Sequence, residues 1–325
     1  MKKTVILLLF LFSVMQFQAQ TAKEVDSIVR LYPKNFSSTE QLAQKIKSDF
    51  RTEFGKARAI FSWLAYNLKY DVKAFLHPKP LKVITYKTEE ERQRKQRIVI
   101  DKRIDEAFRK RKGVCQHYSE LFDRIASQAG LETQVNIGDA KTRNYDIGRK
   151  RARVNHAWNS VKIDGVWRLI DVTWGAGYVD FEEEKFYFSF NPVYFDVAPK
   201  IFFTEHYPEK GIWFDTVVDK EEFLKAPLIN TNIINGKYEI LEPKTGVIET
   251  CLNEKVAFKI VNVSPDSRIS YSLKKENETA QVITKIQKEN VVEFEILIDR
   301  KIPRYLTLFV NGKSIATFKI SLYRF

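Results

Sequence analysis

Cysteine is scarce in this chain: two of 325 residues, Cys115 and Cys251. That count excludes a disulfide-stapled scaffold and a Cys-rich zinc module. Past the first twenty positions no apolar run approaches the roughly 20 residues that span a bilayer, which excludes a polytopic helical membrane protein. Histidine numbers four, and none shows a paired spacing such as H-x-x-x-H. His77, His117 and His206 therefore read as surface or satisfied core residues, and neither a metal nor a cofactor is expected. The acidic run Asp180 to Glu184 lacks the alternating ligands of a calcium loop and reads as a solvated loop. Internal repeats and low-complexity tracts are absent too. What is present is a 44% hydrophobic composition, enough for a buried core in about two domains of roughly 150 residues, so intrinsic disorder and collagen-like structure are excluded.

The formal net charge is +13, and setting aside Lys2 and Lys3 leaves +11. Two stretches hold all of that excess. Residues 82 to 112 carry twelve Lys and Arg against six Asp and Glu, and residues 141 to 153 carry six against Asp146 alone. Basicity this local belongs to an exposed helix face and a loop, with an attraction for acidic substrates or an anionic envelope surface as the functional reading. No stacking-aromatic motif accompanies it, so nucleic acid is not an expected partner.

The first segment has a charged start, an apolar stretch from Val5 to Val14 and a small residue, Ala19. This is the pattern of a cleaved export signal over residues 1–19, which places the working protein outside the cytoplasm, periplasmic or extracellular. Helical spacing follows at Val25, Ile28 and Val29, at Leu42 and Ile46, and at Ala59, Ile60, Trp63, Leu64 and Leu68, with Ser37 to Thr39 as a cap region. Glu89 to Arg111 predicts an exposed helix. After Cys115 the set Tyr118, Leu121, Phe122, Ile125, Ala126 and Ala129 predicts a helix that Gly130 ends. Strands are expected at 132–137, 154–163 and 166–173, the last two joined by the turn Asp164-Gly165. From about Asn230 seven short alternating runs predict a β-sandwich of immunoglobulin type. Cys251 falls at a strand edge there, where a small buried hydrophobe is the default.

A thiol is a useful nucleophile as thiolate, and a helix N-terminus stabilises that anion. Cys115 occupies such a place, and Gly113 lets the chain enter the helix sharply. The expected hairpin register pairs His156 with Thr173 and Trp158 with Asp171, so His156 and Asp171 share a face as diagonal neighbours. Ala157, Val161, Ile163, Val166, Ile170 and Val172 form the opposite, apolar face. The polar pair is then expected to point toward the Cys115 helix. A cysteine, a histidine and an aspartate so placed supply the parts of a thiol acyl-transfer triad, with His156 as proton acceptor and donor and Asp171 orienting it. The backbone N–H of Cys115 is a natural oxyanion donor, and Tyr70 and Gln116 are side-chain candidates.

The stretches KARAIFSWLAYNLKYD (56–71), GVCQHYSELF (113–122), NHAWNSVKIDGVWRLIDVTWG (155–175) and FNP (190–192) resemble the transglutaminase-like superfamily, and within it the bacterial relatives of the kyphoscoliosis peptidase. The resemblance implies a papain-like α+β core with Cys115 as nucleophile, His156 as base and Asp171 as orienting acid. It makes Trp158, Trp167 and Trp174 structural or substrate-lining. The charged insertions at 82–112 and 141–153 depart from the family, and both are expected to flank the cleft.

The expected organisation is thus an export signal (1–19), a transglutaminase-like α+β catalytic domain (20–229) and an all-β immunoglobulin-like sandwich (230–325). The expected activity is an exported cysteine acyl-transferase acting on peptide or glutamine amides through a thioester, probed at Cys115, His156 and Asp171, with Trp158, Trp174, Gln116 and Tyr70 lining the substrate site. Hydrolysis is the favoured outcome. Transglutaminase-type cross-linking and a non-catalytic envelope-binding or scaffold module stay open. The expected partner is a protein or peptide substrate, acidic in character.

Overall fold

The computed structural model describes residues 20–78, 85–230, 233, 235–273, 281–282, 286–299 and 305–323. The expected export signal, residues 1–19, lies outside them, as do 82–84 of the first basic stretch and 283–285 of one expected strand. Side-chain caps open the N-terminal helices α1 (Ala22–Arg30), α2 (Thr39–Asp49) and α3 (Glu53–Asn67). Thr21, Ser38 and Thr52 each accept a backbone N–H that the first helical turn leaves without a partner. α3 is buried at every position from Ala57 to Ala65, so it forms the central rod of the helical layer. Its one charged core residue, Arg58, is met by Asp26 at 2.8 and 2.7 Å, the pairing that a buried charge requires.

The short helix α4 (Val72–Leu76) and the 22-residue α5 (Glu89–Lys110) lead to α6 (Cys115–Gln128). α5 buries only Ile104, Ala107 and Phe108. Its charges largely answer one another: Arg92 pairs with Glu89, Lys95 with Glu91, Lys110 with Glu106, and Arg103 with Glu120 of α6. α6 turns Tyr118, Leu121, Phe122, Ile125 and Ala126 into the core, and Gly130, at φ 83°, closes it in the left-handed conformation.

The helices pack on an antiparallel sheet of β1 (Thr133–Ala140), β2 (His156–Ile163), β3 (Val166–Ile170), β4 (Phe195–Val197) and β5 (His206–Pro208), in the order β4-β3-β2-β1-β5. The expected hairpin register holds: Asn159 pairs with Ile170 and Ile163 with Val166. Two expectations are corrected. The ladder stops at Ile170, because Asp171 leaves the strand to cap the helix α7 (Val172–Ala176), so the pairs His156–Thr173 and Trp158–Asp171 do not form. The face toward α6 is the apolar one. Val161 and Ile163 share a core with Tyr118, Leu121 and Phe122, and Asn159 Nδ2 donates to Ser119 O at 3.0 Å. His156 and Trp158 point to the other side, where Trp158 packs with Leu169, Val197, Phe202 and Trp213. Val166, expected in the apolar layer, is 51% exposed beside the turn.

After helices α8 (Pro199–Glu205) and α9 (Lys220–Lys225) the chain enters a second, all-β unit of two sheets. One joins β6 (Leu228–Ile229), β8 (Val247–Thr250), β10 (Ile269–Ser272), β11 (Gln281–Val282), β14 (Tyr305–Val310) and β15 (Lys313–Leu322), and the other joins β7 (Glu239–Glu242), β9 (Lys255–Val261), β12 (Ile286–Lys288) and β13 (Val291–Leu297). A single apolar core lies between them, with Phe258 of one sheet edge-on to Phe318 of the other at 5.5 Å. Neither β6 nor β8 was among the expected strands; both pair with β15.

Candidate active site

Cys115 is the first residue of α6, where the amide groups of the opening turn have no partner within the helix. The chain reaches it through a two-residue parallel pairing, Lys69–Tyr70 against Lys112–Gly113, which sets Tyr70 beside Gly113. Gly113 is required by close approach. A Cβ there would fall 2.5 Å from His117 Cβ and 2.7 Å from its Cγ. His117 occupies that space because its Nδ1 accepts the Val114 N–H at 3.1 Å, and burial lowers its pKa, which keeps the ring a neutral acceptor.

His156 opens β2 and Asp171 follows β3, so the hairpin ends deliver both to one spot. His156 Nε2 stands 2.6 Å from Asp171 Oδ2. The Cys115 side chain is close enough to the same imidazole to act on its charge. Burial alone would drive His156 toward its neutral form, but the Asp171 carboxylate and then Cys115 outweigh it and raise its pKa to about 10. Asp171 is 0% exposed. Burial pushes its carboxyl up, and the His156 and His206 imidazoles overcome that and hold it below the usual carboxylate range.

His206 is the site residue that sequence reasoning missed. It is 0% exposed, stacks on Phe202 at 3.9 Å and places Nε2 3.1 Å from the same Asp171 Oδ2. Asp171 Oδ1 meanwhile accepts the Trp174 N–H at 3.0 Å. The carboxylate is thus held on three sides. Nothing in local spacing marks His206, which enters from β5, two strands away from β2 in the sheet. His156, Asp171 and His206 bring their ligand atoms within 4.8 Å of one another, a grouping that spacing did not suggest. Two ligands about 2.1 Å from a tetrahedral ion would stand about 3.4 Å apart. The 2.6 Å between His156 and Asp171 is a direct hydrogen bond and leaves no room for an ion between them.

A cleft of about 860 Å³ opens over His156. Tyr70 and Trp174 line it, and Trp174 lies 5.4 Å from the His156 ring in a stacked orientation. Burial, with Cys115 and the Asp171 and Asp71 carboxylates nearby, pushes the Tyr70 hydroxyl far above its ordinary pKa, so it stays a proton donor. Trp158 and Gln116, also expected to line the site, do not. Trp158 is fully buried beneath His156, and Gln116 is exposed and donates to Glu120. Trp167 stacks on Phe214 at 4.2 Å, away from the cleft. Of the two basic stretches only 141–153 reaches the wall; no described residue of 85–112 does. Within 141–153 the roles divide. Lys141 is 1% exposed and donates to the carbonyls of Phe223 and Ala226 at 2.8 and 2.7 Å, with burial pulling its pKa down to about 7. Arg149 pairs with Asp139 and Asp146. Arg143 and Arg153 face the cleft. Cys251 sits just after β8, partly exposed, and both cysteines are free thiols.

Comparison with known proteins places this geometry. Residues 40–172 match the family model of the transglutaminase-like superfamily. Over 240 residues the chain is 28% identical to the kyphoscoliosis peptidase of Homo sapiens, covering 70% of this chain and 32% of that protein. It is 28% identical over 130 residues to hillarin of Drosophila melanogaster, covering 36% and 16%. The chain therefore spans about a third of the kyphoscoliosis peptidases it matches. A crystal structure of a TGase is 18% identical over 50% of this chain and 35% of that one, with a TM-score of 0.28. The helix that starts at the cysteine, the hairpin that carries the histidine and the aspartate that follows it all fall within residues 40–172, the part of the chain that matches the transglutaminase-like superfamily.

Proposed function

We propose that this protein is an exported cysteine acyl-transfer enzyme that hydrolyses peptide or glutamine amides. The observation that carries the proposal is the continuous link from Asp171 through His156 to Cys115. In it the imidazole lies beside a sulfur at a helix start. The Cys115 thiolate attacks the amide carbonyl carbon and the carbonyl electrons move onto oxygen. The backbone N–H of Cys115 and the Tyr70 hydroxyl are the donors we assign to that oxyanion. Collapse breaks the C–N bond, His156 gives its proton to the departing amine, and a thioester remains on Cys115. His156, now neutral, takes a proton from water as the water attacks the thioester, and the acid product leaves with the thiolate restored. Asp171 fixes the imidazole and stabilises its charged form throughout.

Water as acceptor is supported by the exposed rim of the cleft, where Tyr145 and Tyr178 are 53% and 59% exposed, and by similarity to a protein named a peptidase. We propose export on the charged start and apolar stretch of residues 1–19, a catalytic unit over 20–229 whose last strand, β6, adds an edge to the two-sheet unit, and an immunoglobulin-like sandwich for the rest of that unit. The test is a peptide-library assay of the wild type and Cys115→Ala, with and without an added primary amine. Products that carry the amine identify a transglutaminase instead, and turnover that survives Cys115→Ala overturns the nucleophile. A Cys115 inert to thiol-reactive probes would leave a scaffold role.

A further inference from the structure

We infer that Arg143 and Arg153 form a carboxylate-binding subsite in the cleft above His156, so that the enzyme selects polypeptide bearing a carboxylate close to the bond it cleaves. The inference deepens the proposed activity and rests on it for the word enzyme alone, since recognition of the carboxylate is separable from chemistry. Both guanidinium groups line the same cleft as His156. Arg143 lies over the Phe181 ring at 4.4 Å, and it forms no ion pair with an acidic side chain among the described residues. Stacking occupies the face of a guanidinium and leaves its edge N–H groups to meet a carboxylate fork. Arg153 is 58% exposed, with one contact of 3.4 Å to Asp146.

The acidic groups in the same wall do not cancel this charge. Asp146 is engaged by the backbone N–H groups of Thr142 and Arg143, both at 3.1 Å, and by Arg149 at 3.0 Å. Glu205 is 5% exposed, and burial pushes its pKa up to about 8, so it is largely neutral at neutral pH. Lys141 is directed away into the carbonyls of Phe223 and Ala226. Arg143 is left as unanswered charge in the cleft, and Arg153 is answered only at its 3.4 Å contact to Asp146, a carboxylate already shared with Arg149. The loop that presents them is held rigid by Asp146 and Arg149, which preorganises the subsite.

Two measurements test this. In a Cys251→Ser background, the rate of Cys115 alkylation by anionic iodoacetate is divided by that for neutral iodoacetamide. The ratio should fall at least about threefold in Arg143→Gln/Arg153→Gln. It should hold in Lys150→Gln/Arg151→Gln, whose charges sit on the same loop outside the wall. A ratio that moves equally in both, or in neither, overturns the subsite. Fluorescence anisotropy on Cys115→Ala then compares labelled peptides carrying Glu or Gln, each with a free or amidated C-terminus. A carboxylate peptide should bind at least about tenfold more tightly than the fully neutral one, and the arm that gains affinity tells a side-chain carboxylate from a chain terminus. Equal affinity across the four peptides overturns the inference. A charge preference with no turnover of any peptide refutes the hydrolase instead.

Discussion

At the scale of residues, the site is organised around one buried anion. Asp171 raises the pKa of His156, and Asp171→Asn keeps the shape while removing the charge. Turnover should fall by roughly a thousandfold or more, and Cys115 alkylation near pH 6 should slow with it. Stability offers a second readout. His156 binds its proton more tightly folded, with a pKa of about 10, than unfolded, at about 6.5. The pairing therefore stabilises the fold in full below about pH 6.5, and the contribution fades as pH rises toward 10. The gap in thermal midpoint between wild type and Asp171→Asn should narrow over that window. A gap that stays constant would show that His156 is not the charged partner. Cys115, His156 and Asp171 were legible because each stands at an element boundary that composition marks: a glycine before a helix, and the two ends of a hairpin with Asp-Gly at its tip. His206 was not, because its partner lies 35 residues earlier and only the closing of the sheet brings them together.

At the scale of elements, the start of α6 carries the most function in the fewest atoms. Gly113→Ala would drive a methyl group into His117, and His117 would have to give up the Val114 N–H it accepts. We expect a cost of about 1–3 kcal/mol in urea unfolding and a larger loss of alkylation rate at Cys115 than the loss of stability accounts for, because the turn that aims the sulfur moves. A variant with unchanged reactivity would show that the cap does not position the thiol. The hairpin was readable to its register, since Asp164 at φ 51° and Gly165 at φ 79° form the two-residue turn that the sequence requires. Where the strand ends was not readable. Asp171 suits both a strand and an N-cap, and the cap wins because Trp174 N–H and two imidazoles satisfy its carboxylate away from the sheet. The faces were misassigned for a related reason. Alternation separates an apolar from a polar side but does not say which side a helix covers.

At the scale of the whole molecule, the loop 141–153 leans on the second unit. A Cβ on Gly148 would fall 2.6 Å from Val247 Cγ2 of β8, and its N–H is held from the first unit by Leu224 O at 2.7 Å. β6 is held by β15, and Leu228 and Ile229 of β6 also line the cleft. Deleting residues 231–325 should therefore lower the thermal midpoint of the remaining chain and speed hydrogen exchange at the amides from Gly148 to Arg153 relative to the full chain. Unchanged exchange there would show that the loop holds itself. The alternating runs made an all-β unit legible, but its grip on the cleft depends on contacts between residues about a hundred positions apart, which no local pattern encodes.

The trough over His156, about 860 Å³, falls inside the range of roughly 300–1,000 Å³ that houses compact organic ligands. A folded domain cannot lower its surface to an imidazole whose side chain is only 8% exposed, whereas a frayed end or an unstructured segment can thread down to it. Under the proposed activity, a polypeptide substrate would therefore reach the imidazole as a tail, a linker or an unfolded segment.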